Sequence, residues 1–234
     1  MFKIALNAGH GLYTAGKRCM KSLDPKETRE WQLNSRICEI VTEKLKAYSG
    51  YELLRIDDQT GQTDIPLNTR TNKANNWKAD FYLAIHHNAG VKGGKGGGAV
   101  AITYTNVDAE TTAWQKALYN ALIKHTGLKG NRATPLAKMN LHECRETKMP
   151  AVLLELGFMD SATDVPVILS DGFVENATNA IVEVLAEKGG LKKKTAAAEA
   201  KKIYRVQVGA YSIKANAEAM QKKLKAAGFD AVIV

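Results

Sequence analysis

The sequence has few cysteines and no long apolar run, and each of these absences excludes a class of protein. Its three cysteines, Cys19, Cys38 and Cys144, lie far apart with no CxxC pair, so neither a thiolate-rich zinc site nor a redox-active dithiol is indicated. No apolar run approaches the roughly 20 residues of a transmembrane helix. The first residues turn polar too soon for a signal peptide. We therefore expect a protein that is made in the cytoplasm, with no signal peptide and no insertion into a membrane.

The positive charge is concentrated in the C-terminal part of the chain. The formal net charge is +9, and from Lys188 onward 11 basic residues stand against 3 acidic ones. A near-neutral body therefore carries a basic tail. Such a tail suits a polyanion such as nucleic acid, anionic lipid or an anionic cell-wall polymer, and a solvated linker that keeps the protein soluble accounts for it equally well.

The segment from Asp80 to Gly90 reads as a buried strand that ends in two histidines. Apolar residues occupy both of its alternating faces, which is typical of a strand that is covered on both sides in a parallel sheet. Ligands of such sheets bind outside the carboxyl ends of the strands. His86 is therefore placed for chemistry, and a core histidine that is hydrogen-bonded to the backbone is the alternative.

Hydrophobic periodicity predicts strands that alternate with helices. The predicted strands are Phe2–Leu6, Tyr51–Ile56, Asp80–His86, Ala99–Tyr104 and Ala151–Leu154. The predicted helices run from about 28 to 48, from Pro66 to Trp77, from Ala109 to His125 and from Val174 to Lys188. This alternation indicates an α/β fold with a twisted, mostly parallel sheet that is flanked by helices.

The last part of the chain reads as a separate unit. Residues 189–202 are small and charged without an apolar face, which is typical of a linker. A strand at Ile203–Val208, a helix at Ala215–Ala226 and a strand at Ala231–Val234 follow as one small C-terminal βαβ unit. We therefore predict a main domain over residues 1–188, a basic linker over 189–202 and a second unit over 203–234.

Polar residues are expected to meet at one edge of the predicted sheet. His10 follows the first strand, and Glu155 closes the last strand of the main domain. At 100° per residue, Glu30 falls within about 20° of Ile37 on the apolar stripe of the first helix. A carboxylate on the core face of a helix needs a cation partner or a metal, and a first-turn glutamate that is favoured by the helix dipole is the alternative.

The convergence of His10, Glu30, His86 and Glu155 suggests a metal site. Two imidazoles and one carboxylate are a common catalytic zinc set. A further acidic group nearby can move a proton between water and a leaving group. The spacing does not assign these roles, because no two of the four residues form a local ligand motif.

Five segments together resemble a known enzyme family. In order and spacing they are similar to the zinc-dependent N-acetylmuramoyl-L-alanine amidases of the amidase-3 family, over residues 2 to about 188. The segments are Ile4–Gly11, Glu30–Asn34, Leu67–Asn75, Asp80–Ala89 and Pro150–Phe158.

The resemblance implies a peptidoglycan hydrolase that cleaves the amide bond between N-acetylmuramic acid and L-alanine of the stem peptide. It implies that Zn²⁺ is held by His10, Glu30 and His86. It also implies that Glu155 is the catalytic acid/base. Two further histidines match no family ligand and are interpreted as structural: His125 and His142.

The chain departs from the family pattern at positions next to the implied ligands. Asn7-Ala8 replaces the usual Asp-Pro, and Ala84 stands where Ser is common, but neither change touches a ligand. His87 stands where the family usually has a small residue. We expect His87 and Asn88 to lie behind the ligands or to face the substrate.

The tail resembles the first half of a SPOR (sporulation-related repeat) domain, a family that binds peptidoglycan. A complete module of that family has two βαβ units, and residues 203–234 supply one. We therefore expect either a homodimer that forms through residues 203–234 or a unit that becomes ordered on the wall. The matching residues are Tyr204–Ser212, Asn216–Glu218, Leu224 and Ala227–Phe229.

These resemblances imply peptidoglycan as the partner and no specific nucleic acid. The expected cytoplasmic synthesis and the appended wall-binding unit are similar to those of a phage or prophage endolysin, which acts on the bacterial cell wall after release. Two alternatives stay open. One is a non-catalytic protein that binds the cell wall or another polyanion, and the other is a zinc carboxypeptidase that acts on stem peptides.

Overall fold

The computed structural model describes residues 1–194, 207–229 and 231–233. The chain divides into two compact units, Met1–Lys194 and Thr195–Val234. In the described part of the chain, no helix is long and apolar enough to cross a membrane.

The first unit contains eight strands and six helices within residues 1–194. The strands are β1 (Phe2–Ala8), β2 (Tyr48–Ser49), β3 (Tyr51–Arg55), β4 (Phe81–Asn88), β5 (Ala99–Thr103), β6 (Leu136–Lys138), β7 (Ala151–Phe158) and β8 (Lys192–Lys193). The helices are α1 (Glu30–Leu45), α2 (Leu67–Trp77), α3 (Ala109–Thr126), α4 (His142–Arg145), α5 (Val165–Ile168) and α6 (Asp171–Lys188).

Six of these strands form one sheet in the order β3-β1-β4-β7-β5-β6. Neighbours from β3 to β7 run parallel, so the predicted α/β fold with a mostly parallel sheet is confirmed. β5 runs antiparallel to β7, because the connection from β4 to β5 contains no helix that would return the chain for a parallel strand. The edge strand β6 was not predicted, since its three residues are too few for a periodic pattern.

β4 lies inside the sheet and is buried on both faces. Its residues from Phe81 to Ile85 are at most 1% exposed. On one face the ring of Phe81 stacks on Trp114 of α3, with 3.9 Å between the ring centroids. The other face carries Tyr82 and Ala84, which belong to a second apolar cluster. The prediction of a strand that is covered on both sides is therefore confirmed.

Three predicted strands end too early. β1 continues past Leu6 to Ala8. β4 continues through His86 to Asn88, with a register shift between these two residues. β7 continues to Phe158, so Glu155 lies within the strand that it was predicted to close. Hydropathy ends these strands too early because polar residues such as Asn7, His87 and Glu155 lie inside them while their backbones stay in the hydrogen-bond ladder.

β8 lies in the stretch that was predicted to begin the linker. Lys192–Lys193 pairs antiparallel with Tyr48–Ser49. Beyond this pair, Nζ of Lys194 donates a hydrogen bond to the carbonyl of Lys46 at 2.8 Å. Residues 189–194 are therefore attached to the first unit, and the rest of the predicted linker lies outside the described residues.

The second unit contains one helix among its described residues, α7 (Lys214–Ala226), at the place where a helix was predicted. Most of the predicted strand Ile203–Val208 lies outside the described residues. Residues 231–233 form no strand, so the predicted strand Ala231–Val234 is wrong for the part that the structure describes. A short apolar run alone is insufficient, because a strand needs a paired neighbour to satisfy its backbone groups.

All three cysteines are buried and free. Burial raises the pKa of Cys19 and of Cys144 to about 12. Burial also raises the pKa of the Cys38 thiol far above its usual range. This arrangement agrees with the absence of paired thiols in the sequence.

Candidate metal centre and active site

β1 and the loop after it bring His10 to the edge of the sheet. The strand ends at Ala8, and His10 adopts a left-handed backbone conformation with a φ of 65°. Glycine is required at position 9, because a Cβ there would overlap the ring of His86. The backbone of Gly9 thus lies against that ring, and the centroids of the His10 and His86 rings are 5.0 Å apart.

Arg70 of α2 holds the backbone of the segment that carries His10 in place. Its Nη1 donates to Oδ1 of Asn7 at 2.6 Å and to the carbonyl of Ala8 at 2.8 Å. Its Nη2 donates to the carbonyl of His10 at 3.0 Å. Because Arg70 is only 1% exposed, this guanidinium is committed to holding the segment that carries His10.

Glu30 is the first residue of α1 and is only 1% exposed. Its Oε1 lies 3.1 Å from Nδ1 of His86 and 3.4 Å from Nε2 of His10. Burial opposes the ionisation of Glu30, but hydrogen bonds with His10 and His86 outweigh burial and hold its pKa well below the usual range. The predicted burial of Glu30 on the core face of its helix is confirmed.

The donor atoms of His10, Glu30 and His86 fit a metal ion. They all lie within 4.8 Å of one another. In a tetrahedral zinc site with bonds of about 2.0–2.1 Å, neighbouring ligand atoms lie about 3.3 Å apart. The distances of 3.1 and 3.4 Å to Oε1 of Glu30 lie on either side of that value. Two imidazole nitrogens and one carboxylate oxygen also match the chemistry of a catalytic zinc site with an open fourth position.

A proton competes with a metal ion for His86. Burial lowers the pKa of this imidazole, but the nearby carboxylates of Glu143 and Glu30 outweigh burial and raise it to about 10. Binding of a metal ion by this imidazole would therefore release a proton.

Glu155 lies beside this cluster on the neighbouring strand, in register with His86. Its Oε2 is buried and has no hydrogen-bond partner among the described residues. Burial raises the pKa of Glu155 to about 7, and a carboxyl group with a pKa near neutrality can both take up and release a proton. The structure thus brings the four predicted site residues together at one edge of the sheet.

His87 lies behind the cluster and does not face the substrate side. It is 3% exposed, and its Nδ1 lies 2.8 Å from Oδ1 of Asn34 on α1. The Nδ2 of Asn34 in turn donates to the carbonyl of Gly9 at 3.1 Å. His87 therefore supports the segment that carries His10. Asn88 is half-buried and accepts a hydrogen bond at Oδ1 from the backbone N–H of Ala89 at 2.8 Å.

Sequence analysis missed Glu143, a buried carboxylate at the same site. It lies in the short helix α4 and is 5% exposed. Its Oε2 is 3.5 Å from Nε2 of His86. Burial opposes its ionisation, but contacts with His86, Tyr82 and Arg70 outweigh burial and lower its pKa. No periodic pattern marks a four-residue helix, and the polar hydroxyl of Tyr82 inside an apolar strand was the one available signal.

A cleft of about 330 Å³ opens beside the cluster. Its walls include His10, His86 and Glu143 together with residues 64–66 of the loop before α2 and Leu67 at the start of that helix. The two candidate histidine ligands therefore lie on the wall of a space that can hold part of a substrate.

The two histidines that were interpreted as structural have partners elsewhere. Nε2 of His125 lies 2.7 Å from Oε2 of Glu183 near the surface. Nε2 of His142 lies 3.3 Å from Oγ1 of Thr71. Neither histidine belongs to the group of potential metal ligands found in the described residues.

Comparison with known families decides what this site belongs to. Residues 4–187 match the family described as N-acetylmuramoyl-L-alanine amidase. The chain belongs to this family. It is therefore an enzyme, a peptidoglycan amidase, as the sequence predicted, and the alternative of a non-catalytic binding protein is not supported.

Individual relatives agree with this family. A Sporulation-specific N-acetylmuramoyl-L-alanine amidase of Bacillus subtilis is 33% identical over 234 residues, which cover 100% of this chain and 85% of the relative. An Endolysin of Bacillus phage SPP1 is 35% identical over 138 residues, which cover 57% of this chain and 49% of that protein.

A solved structure shows that the amidase fold is shared. The catalytic domain of CwlV, an N-acetylmuramoyl-L-alanine amidase from Bacillus (Paenibacillus) polymyxa var. colistinus, superimposes with a TM-score of 0.71 at 23% identity. The superposition covers 82% of this amidase and 100% of the CwlV domain.

The C-terminal part of the amidase matches a second family. Residues 174–234 match the SPOR domain, which confirms the resemblance of the tail to that family. The match begins within α6 of the first unit and includes the described helix α7. Both families support peptidoglycan as the binding partner of this amidase.

Proposed function

We propose that this amidase is a zinc enzyme in which His10, Glu30 and His86 bind the metal and Glu155 moves the proton. The observation that carries the proposal is the approach of both histidines to Oε1 of Glu30 at the ligand spacing of zinc. The other oxygen of Glu30 is buried without a hydrogen-bond partner among the described residues. Nζ of Lys17 lies 3.6 Å from this oxygen, so one oxygen of the carboxylate has a cation beside it and Oε1 is left for the metal.

The metal ligands and Glu155 have separate roles in the hydrolysis of the muramoyl–L-alanine bond. A bound Zn²⁺ would supply a Lewis acid that polarises the scissile carbonyl and lets water ionise near pH 7. Water adds to the lactyl carbonyl carbon, and Oε2 of Glu155 accepts the proton that the water loses. The same oxygen then donates this proton to the alanine nitrogen as the carbon–nitrogen bond breaks. The products are a lactyl carboxylate and a free amino group on L-alanine.

The digestion of purified cell walls tests this proposal. The zinc-loaded chain is expected to release new N-terminal alanine without new reducing sugar ends. A chelator should abolish the release, and added zinc should restore it. New C-terminal carboxylates within the stem peptide would instead identify a carboxypeptidase. Release of alanine that resists exhaustive chelation would contradict the zinc proposal.

We also propose that the C-terminal unit holds the enzyme on peptidoglycan and pairs two copies through residues 203–234. The SPOR match supports the first part. Several apolar side chains of this unit are exposed, among them Val208 at 60%, Phe229 at 64% and Val232 at 77%, and exposed apolar patches often mark interaction surfaces. Light scattering should show a dimer for the full chain and a monomer for residues 1–194, and a monomeric full chain would overturn the pairing. Added DNA should not displace the protein from isolated walls.

The biological setting that we propose is lysis of the wall by a phage or prophage enzyme that is held in the cytoplasm until its release. Similarity to the phage Endolysin supports this setting. Similarity over the whole chain to a Sporulation-specific amidase supports a role in the host as the alternative. Turbidity assays on permeabilised vegetative and sporulating cells separate the two. Lysis of sporulating cells alone would overturn the phage setting.

A further inference from the structure

Glu143 is a buried carboxylate that has no role in the proposed hydrolysis. Its Oε1 accepts a hydrogen bond from Nδ2 of Asn7 at 2.5 Å and another from the hydroxyl of Tyr82 at 2.6 Å. Both donors lie on strands of the sheet, Asn7 on β1 and Tyr82 on β4. These two hydrogen bonds orient the carboxylate so that its other oxygen, Oε2, faces His86.

The ring of His86 lies between two carboxylates. Its Nδ1 is 3.1 Å from Oε1 of Glu30, and its Nε2 is 3.5 Å from Oε2 of Glu143. The backbone of Gly9 lies against the ring and leaves it little freedom to turn over. The nitrogen that faces Glu30 therefore faces the proposed metal position, and the other nitrogen faces Glu143.

We infer that Glu143 is a positioning residue that keeps the ring proton of His86 on Nε2 and so leaves Nδ1 free to bind the metal. This inference rests on the proposed zinc site. A neutral imidazole carries one proton, and only the nitrogen without the proton can bind a metal ion. A carboxylate beside Nε2 stabilises the tautomer with the proton on that nitrogen and makes Nδ1 a stronger donor.

A purely structural role of Glu143 makes a different prediction. The bonds from Asn7 and Tyr82 to Oε1 tie α4 to the sheet, whereas the contact of Oε2 is with His86. A structural role depends on the Oε1 bonds. A positioning role depends on the charge beside His86. Variants that change the hydrogen bonds to Oε1 or the charge beside His86, but not both, distinguish the two roles.

Zinc affinity of the full chain, measured by competition with a chromophoric chelator, tests the inference. Glu143→Gln keeps the size of the side chain but removes its charge, and it should weaken zinc binding by about 10–100-fold. The matched control is Tyr82→Phe, which removes one hydrogen bond to Oε1 but keeps the charge beside His86 and the orienting hydrogen bond from Asn7. This control should leave zinc affinity nearly unaltered even if it lowers stability.

Proton–nitrogen NMR of the zinc-loaded wild-type chain gives a readout that needs no variant. It should show the proton of the His86 ring on Nε2, and a proton on Nδ1 would overturn the inference. Equal zinc affinity of Glu143→Gln and the wild type would also overturn it, while the zinc proposal would stand. A wild-type chain that binds no zinc would overturn the zinc proposal and this inference together.

Discussion

His86 and Glu155 occupy paired positions on the adjacent parallel strands β4 and β7. Backbone hydrogen bonds between the two strands fix the distance between them, because neighbouring strands lie about 4.8 Å apart. The proposed metal ligand and the proposed acid/base therefore keep their spacing as long as the sheet is intact. Glu30 and His10 complete the site from a helix and a loop.

Replacing Glu155 by glutamine should separate metal binding from turnover. The variant Glu155→Gln should keep its zinc and its fold, because Glu155 is not one of the three candidate metal ligands. Its turnover should fall by about 10²–10⁴-fold through the loss of proton transfer. Metal analysis and the release of N-terminal alanine from cell walls measure the two properties. A near-normal rate would assign the proton transfer to another group.

Replacing each of the two adjacent histidines should have opposite effects on metal content. His86→Ala should lose the zinc and the activity together, because it removes a proposed ligand. His87→Gln should keep the zinc, because His87 lies behind the site against Asn34. Metal content after gel filtration tests the pair. Loss of zinc from the second variant alone would show that the ligands were assigned to the wrong histidine.

His87 should make the metal-free protein less stable in mild acid. Burial lowers its pKa to about 4, whereas an unfolded histidine has a pKa of about 6.5. The unfolded chain therefore binds a proton first as the pH falls, so stability is full above about pH 6.5 and is lost towards about pH 4. A difference of about 2.5 pKa units corresponds to about 3 kcal/mol. Denaturant unfolding at several pH values should show a flatter profile for His87→Gln, and identical profiles would contradict this assignment.

A methyl group at position 9 should disturb the site without disturbing the fold elsewhere. In Gly9→Ala the new Cβ would overlap the ring of His86, so the ring must move and zinc affinity should fall at least tenfold, within the range of about 10–100-fold that is typical for lost ligand support. Gly172→Ala is the matched control, since nothing lies within 4 Å of a Cβ there. Isothermal titration with zinc compares the two. Equal affinities would show that the ring tolerates displacement.

Asn7 and Glu143 should be energetically coupled. Asn7→Asp replaces the donor to Glu143 by a second carboxylate, so it should cost at least about 1–3 kcal/mol of stability at neutral pH. Adding Glu143→Gln should recover part of this loss, because the new amide can donate to the aspartate. A double-mutant cycle by denaturant unfolding gives the coupling, and strictly additive effects would contradict a direct interaction.

The main elements of the fold were predictable because their patterns are local. β4 is apolar on both faces, and α1 carries an apolar stripe, so the two periodicities identify a buried strand and a packed helix. The antiparallel direction of β5 and the short strand β6 were not predictable in this way, because they depend on which strands meet in space.

The candidate site was predictable only in part. His10 and His86 could be placed near one sheet edge because each follows or ends an apolar strand pattern. Glu30 could be added because it interrupts the apolar stripe of a helix. Glu143 could not be found, since its partner His86 is distant in sequence and its four-residue helix has no periodicity. Its importance comes from a tertiary contact alone.

The three buried thiols are poorly placed to react with oxidants in the folded enzyme. Oxidants and disulfides react with thiolates, and a thiol with a pKa of about 12, such as Cys19 or Cys144, is almost entirely protonated at neutral pH. The sulfur atoms are also closed off from solvent reagents by the packing of the core. Oxidation of these thiols should therefore be slow as long as the chain stays folded.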